Sequence, residues 1–445
     1  MSAEAALADT KQASDIGDSI YALIEKLFPI HRSTTGEGVR STLRIIQEMV
    51  PLVMHEVPTG TQVLDWVVPK EWNIRDAYVK DASGRRVIDY GASNLHVVNT
   101  SVPVNRKMTL EELKQHLHTI PEHPEWIPYR YSHYNEGWGF CIAYKDYVNL
   151  DEGEYEVCIE SSLEDGFLTY GECYLPGKTQ EEVLISCHVC HPSLANDNLS
   201  GISIAAHLAR DLARQERRYS YRFIFVPSTI GAITWLARNE DAVERIRHGV
   251  VLSCLGDPGH STYKRSRQGN AIIDRAVTHV LEHSGAEFSI REFAPYGYDE
   301  RQFNSPGFNL PVGLFMRTPH DCYPQYHTSG DNLDLVRPEA LADSYRKLRY
   351  ALDIVESADK RYVATVQKGE AQLGRRGLYR PLSGQADQRV DELPLLWVMN
   401  FSDGEHGLLD IAERSGIEFR RIERAAQALD DAGLLVDAEK TQAEG

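Results

Sequence analysis

No stretch of this 445-residue chain is apolar for the roughly 20 residues that a membrane-spanning helix needs, so no such helix is expected. The first fifteen residues are polar and lack a basic start followed by an apolar core, so they do not read as a secretory signal. Cysteine is scarce: there are seven, odd in number and scattered, several of them inside apolar runs. That pattern excludes a disulfide-stapled scaffold and leads us to expect reduced thiols and a cytoplasmic location. Basic charge is also short, with 47 Lys and Arg against 65 Asp and Glu and a net charge of −18. An acidic surface repels phosphate backbones and anionic lipid, so neither nucleic acid nor a membrane is expected as a partner. No internal repeat is visible.

What is present is ordinary for a globular protein, with 42% hydrophobic and 25% charged residues in a length that suits two or three domains. Helical patterns at 15–28 and 37–50 open the chain. The next stretch, LDWVVPKEWNIRDAYVKDASGRRVIDYGASNLHVV, reads as short strands with a tight turn at Ala82-Ser83-Gly84. We take 61–130 as a small β-rich inserted domain. Beyond about residue 152, strand candidates at 155–160, 183–187, 221–226, 249–254 and 310–316 alternate with helical patterns at 200–215, 231–246, 269–283 and 336–356. This alternation predicts an α/β domain, 15–60 with 131–357, whose mixed, largely parallel sheet is covered by helices. The polar segment 358–390 reads as a linker or strap. In 391–440 a helix stopped by Gly416, a second helix and the strand-like LLVDA give the outline of a winged helix-turn-helix.

The most informative string is VLISCHVCHPSLANDNLSG at 183–201. His188 stands at the C-terminal tip of a buried strand, Asp197 lies in the loop that follows, and Ser200 is placed to cap the next helix. Open α/β sheets bind ligands beyond the carboxyl ends of their strands, and imidazole with carboxylate suits a catalytic zinc. FIFVPSTIGA delivers Ser228 to the same edge, VVLSCLGDPG delivers Asp257, and YPQYHTSGDNLD brings in His327. One such residue is usually a turn or cap, but four in successive strand-end loops suggest a metal site. A knuckle of Cys187, His188, Cys190 and His191 is the alternative. It is disfavoured because neighbours on a strand point to opposite faces.

Together with LDWVVPKEWNIRDAY, SNLHVV, YNEGWGFC, YDERQF, YHTSGDNLD and LGRRGLY, this string makes the chain resemble, over nearly its whole length, a bacterial aminopeptidase-like family of unassigned function. That family carries a zinc-peptidase-like domain, a small inserted domain and a C-terminal winged helix. More distantly the chain resembles the co-catalytic zinc aminopeptidases. That resemblance implies that His188 matches their first His, Asp197 the bridging Asp, Asp257 a later Asp and His327 the final His. YDERQF resembles their substrate-side segment, which places Asp299 in the pocket.

One feature of those peptidases is missing. They carry two Glu at the end of the strand that here reads FVPSTIG, one a general base and one a metal ligand. Ser228 and Thr229 occupy those positions. A serine hydroxyl does not accept a proton from an attacking water near neutral pH as a carboxylate does, and such help is worth about 10²–10⁴ in rate. Glu300, beside Asp299, is the nearest replacement in sequence. Loss of the second Glu implies about one well-held zinc per chain, bound by Asp197 and His327 with His188 or Asp257 completing the set.

Arg317, at the end of the last core strand, and Tyr326 are placed to hold a substrate carboxylate or amide; for Arg317 the alternative is a structural ion pair. The winged helix carries Arg420, Arg421 and Arg424, yet residues 403–445 hold eleven acidic against five basic residues. Packing within a homo-oligomer suits it better than DNA. Function then lies among three readings: a zinc-dependent aminopeptidase-like hydrolase of a small amide or peptide, in a biosynthetic pathway; cyclisation or acyl transfer on the same scaffold, as in the glutaminyl cyclases that resemble these peptidases; and a non-catalytic binding or regulatory protein.

Overall fold

The computed structural model describes residues 3–132, 134–320, 322–378 and 388–438, without the side chains of 3–14 and 388–391. The chain divides into two compact units, residues 1–271 with 287–346, and residues 272–286 with 347–445.

The first unit is built on an eight-stranded sheet. Its middle is parallel, in the order Ser220–Val226, Glu182–His188, Ile246–Leu252 and Val312–Met316. The residues explain this placement: EVLISCH and SYRFIFV are buried at every position, as a strand covered on both faces must be. Glu182 is tolerated there because Arg222 (2.6 Å) and Arg245 (2.8 Å) both pair with it. Antiparallel strands extend the sheet on either side. Phe167–Leu175 and Leu52–Pro58 flank Ser220–Val226, and Ser261–Lys264 follows Val312–Met316 with Phe288–Arg291 at the edge. Helix Gly201–Leu212 buries Ile204, Leu208 and Leu212. The fold is therefore the mixed α/β class predicted.

Ser200 departs from expectation. It is itself in helical conformation, and its hydroxyl donates to the Asn196 carbonyl (2.6 Å) and accepts from Leu255 N–H (2.9 Å), so it ties two loops together rather than capping the helix. The helix expected over 231–246 also ends earlier, at Arg238, and Ile246 already begins a strand.

A separate four-stranded sheet runs in the order Arg86–Asp89, Glu71–Lys80, Glu154–Glu164 and Val104–Thr109. Most of it comes from the segment read as an insertion, with Glu154–Glu164 contributed from further along the chain. The turn between its first two strands does fall at 82–84: Gly84 takes a φ of 84°, and its N–H donates to the Asp81 carbonyl at 2.9 Å.

In the second unit a three-stranded antiparallel sheet, Asp403–Gly407, Arg361–Ala364 and Leu435–Asp437, accompanies helices Leu408–Ser415 and Phe419–Asp431. Gly416 closes the first of these helices in left-handed conformation (φ 65°). Helix Gln388–Phe401 has no counterpart in the sequence reading. Its neighbour Arg361–Ala364, inside the segment read as a strap, is the middle strand of this sheet. The 379–387 part of that strap, including Tyr379 of the LGRRGLY string, lies outside the described residues, as do 439 and 440.

Candidate metal centre and active site

The parallel register sets His188 level with Val226, so the loops after these two strands and after Ile246–Leu252 leave from the same edge of the sheet. From there the chain turns through 189–194 into the short helical segment Ala195–Ser200. Asp331 holds this segment, accepting from the N–H groups of Asn196 (2.6 Å) and Asp197 (2.9 Å). Asn198 fixes its far end through Leu252 O (2.9 Å). Burial, with the nearby charge of Asp197, pushes the Asp331 carboxyl up to about 8 against the pull of those N–H groups.

Held this way, Asp197 is fully buried and points at three imidazoles. Its Oδ1 is hydrogen-bonded to His188 Nε2 at 2.8 Å. Its Oδ2 makes no hydrogen bond among the described residues, although His327 Nε2 stands 3.1 Å and His191 Nε2 3.7 Å from it. His191 and His327 are themselves 3.2 Å apart through their Nε2 atoms. Burial alone raises the Asp197 carboxyl, but the adjoining imidazoles of His191 and His188, the latter through its hydrogen bond, hold it well below the carboxylate range. Burial drives His191 far down, toward the neutral ligand form.

Ligand atoms of His188, His191 and Asp197 lie within 4.8 Å of one another. An orphaned buried carboxylate oxygen facing imidazole nitrogens is the donor set of a zinc-type ion, so these residues fit the metal expected from sequence. Aromatic rings pack the imidazoles in place. Tyr298 stacks on His188 with centroids 5.3 Å apart, Tyr326 stacks on His327 at 4.0 Å, and Tyr129 meets His327 edge-on at 5.0 Å.

The predicted site residues divide into those that gather here and those that do not. His188, Asp197 and His327 come together. Asp257 does not join them, because its oxygens accept from Asn196 Nδ2 (3.1 Å), Gly259 N–H (2.8 Å) and Thr318. His191, rather than Asp257, stands beside Asp197 and His188. The signal for it in the sequence is HVCHP, where His191 follows His188 by three residues and is open to a metal-binding reading apart from the cysteines. The cysteines turn elsewhere: Cys190 Sγ accepts from Ser228 N–H at 3.2 Å, and Cys187 is directed toward Ile224 O.

Ser228 donates its hydroxyl to Asp299 Oδ1 at 2.9 Å. Asp299 is 0% exposed, and burial pushes its carboxyl up to about 6 in spite of the nearby His188 and the Ser228 hydroxyl. Glu300, the replacement base suggested by sequence, is also buried, but it is paired with Lys264 rather than turned to the imidazoles. Arg317 pairs with Asp343 at 2.7 Å and so takes the structural alternative. Tyr326 is placed as a wall of His327.

Comparison with known proteins locates this architecture. Residues 21–358 match a family described as a domain of unknown function, DUF4910, and residues 360–437 match a winged helix-turn-helix family. A Clostridium acetobutylicum protein, provisionally named a polysaccharide biosynthesis protein with aminopeptidase-like domain, is 51% identical over 427 residues, covering 96% of this chain and 98% of that one. A crystal structure from the same organism, provisionally named a peptidase, is 48% identical with a TM-score of 0.92 over 98% of this chain and 99% of that one. The zinc aminopeptidase BSAP of Bacillus subtilis superposes with a TM-score of 0.56 at 13% identity, over 76% of this chain and 95% of that one, a likeness of fold.

Proposed function

Because the chain belongs to the DUF4910 family, whose fold is that of the zinc aminopeptidases, we propose that it is a zinc-dependent hydrolase of a small amide or peptide. The observation that carries this reading is the gathering of three imidazoles about the buried Asp197 carboxylate, His188 at its Oδ1 and His327 and His191 facing its Oδ2, which makes no hydrogen bond among the described residues. The name of its 51% identical relative supports a biosynthetic substrate over a degradative one. Zinc held there would supply Lewis-acid polarisation of the amide carbonyl and a lowered pKa for water.

The chain's own residues do the rest. Asp299 takes the role that Glu plays in the peptidases. It is the carboxylate that receives the proton of the attacking water, with Ser228 fixing its orientation through the 2.9 Å hydrogen bond. Its raised pKa makes it a stronger base than an exposed aspartate while leaving it ionised at neutral pH. Glu300 is held out of this chemistry by Lys264. The stacked tyrosines fix the imidazoles and keep solvent from their faces.

Elemental analysis and product analysis test the reading together. Protein never exposed to chelator should hold about one zinc per chain and release a free amine from an amide substrate. Absence of any transition metal would refute it. A product formed without addition of water would move the assignment to cyclisation or acyl transfer.

A further inference from the structure

In the first unit a cleft of about 340 Å³ lies beside the strand-end loop, its lining joining Ser228 and Thr229 to Trp66 and Tyr134. Trp66 stands on the two-residue hairpin strand Trp66–Val67. It is 46% exposed, and Tyr134 is 54% exposed. The two rings meet at 5.7 Å between centroids with a 51° tilt, the Tyr134 hydroxyl donating to Val67 O at 3.3 Å. Large rings left this open contribute little to folding, yet here they stand together at the mouth of a pocket. Short hydroxyl and amide side chains, Thr34, Thr100, Ser132 and Asn135, line the same cleft. Its charged lining side chains, Lys70 and Glu136, pair with each other at 3.1 Å. Their mutual neutralisation leaves little to attract the free ammonium or carboxylate of a peptide end.

A neutral ligand with one apolar face and a rim of hydroxyls fits this chemistry. The apolar face stacks on a π surface, and the rim exchanges hydrogen bonds with small polar side chains. We propose that the cleft binds the pyranose ring of an N-acylated amino sugar, with Trp66 and Tyr134 as its stacking surface. Ser228 joins the cleft to the chemistry, because its hydroxyl bonds Asp299 and its N–H bonds Cys190, the neighbour of His191. Resting on the hydrolase reading above, this makes the scissile bond the amide on the sugar ring. Water's oxygen bonds to the acyl carbon, the C–N bond breaks, the amine nitrogen gains a proton, and a carboxylic acid and an amino sugar leave.

The test uses the full-length zinc-loaded protein and the methyl glycosides of N-acetylglucosamine, N-acetylgalactosamine and N-acetylmannosamine at millimolar concentration. Binding is followed by calorimetry and acetate release by product analysis. At least one glycoside should bind saturably, and Trp66→Ala should weaken it about tenfold, the loss of one stacking face. Zinc content and melting temperature should not change in that variant, because the ring is exposed. Trp66-dependent binding with neither acetate release nor cleavage of a dipeptide amide would uphold the sugar site and refute the hydrolase reading. Cleavage of dipeptide amides with no glycoside bound would uphold the hydrolase reading and overturn the sugar site. Glycoside binding indifferent to Trp66→Ala would also overturn it.

Discussion

Asp299 and Glu300 are consecutive, both buried, and differ only in what their side chains meet. Glu300 meets Lys264 and forms a buried ion pair, whereas Asp299 meets the hydroxyl of Ser228; each keeps one oxygen without a hydrogen bond among the described residues. Sequence proposed both and had no means of separating them, because side-chain direction in a one-turn helix such as Glu300–Phe303 depends on what packs around it. Asp299→Asn should lower amide hydrolysis by about 10²–10⁴ while zinc content stays at the parent level. Unchanged turnover would give the base role to another group. The residues that gather at the candidate metal site were legible for the same reason in reverse. A His at a strand tip and an Asp in the following loop are fixed by topology, whereas Asp257 sits in an equally good loop and turns the other way, toward Asn196 and Thr318. His191→Ala should therefore strip the protein of most of its zinc, and Asp257→Asn should leave it bound, as elemental analysis of the two variants would establish. The reverse pattern would restore the ligand set first suggested by the sequence.

Among the elements, the central strands could be read to within about three residues at each end, since continuous apolar runs bounded by Gly, Pro and Asn have few other homes. Polar stretches whose partners lie far away in sequence were the hard ones. Arg361–Ala364 is one, a strand only because Leu435–Asp437 and Asp403–Gly407 pair with it. The turn after helix Ala3–Leu27 is another, and its Arg32 reaches the metal loop. Arg32 is 1% exposed and donates to Leu27 O (2.8 Å), His191 O (2.8 Å) and Pro192 O (2.9 Å). Burial lowers its guanidinium to about 9, so it remains charged at neutral pH. It thus ties the end of the first helix to the backbone of His191, a residue of the candidate metal site. Arg32→Met should leave three buried carbonyls without donors and cost about 3 kcal/mol in chemical denaturation. It should also weaken zinc about 10–100-fold in chelator competition, as loss of outer support for a ligand does. Lysine lacks the planar fork and should not rescue either property. A variant that melts lower but holds zinc as the parent does would reduce Arg32 to a stabilising role.

For the whole molecule the two units share an acid weakness and a charge. In the first, His31 is buried and satisfied as a neutral ring: Nε2 lies 2.9 Å from Asn99 Oδ1 and Nδ1 lies 3.0 Å from the Tyr90 hydroxyl, with Trp72 edge-on at 5.3 Å. Burial, reinforced by the charge of Arg32, lowers it to about 4 against the Asn99 hydrogen bond. In the second, burial lowers His279 to about 4, where its Nε2 accepts from Phe419 N–H at 3.0 Å. A depressed imidazole contributes its stability fully above the unfolded value of 6.5, and that stability is lost as pH falls from there toward 4. Denaturation midpoints should therefore drop between those limits, by up to roughly 3 kcal/mol for His31, and His31→Gln should flatten the slope. The charge decides what the winged helix can do. Its outline was visible in the sequence and its family match is plain, but a fold does not carry a function with it. Of the arginines on helix Phe419–Asp431, Arg420 lies 4.0 Å over the Tyr350 ring and 3.9 Å from Asp353, committed within its own unit. Around them residues 403–445 carry eleven acidic against five basic side chains, so a phosphate backbone gains few contacts and meets net repulsion. The full-length protein should leave no footprint on duplex DNA at nanomolar concentration in about 150 mM salt, where specific readers still bind. A footprint that persists there, and disappears in Arg421→Ala or Arg424→Ala, would make this unit a DNA reader after all.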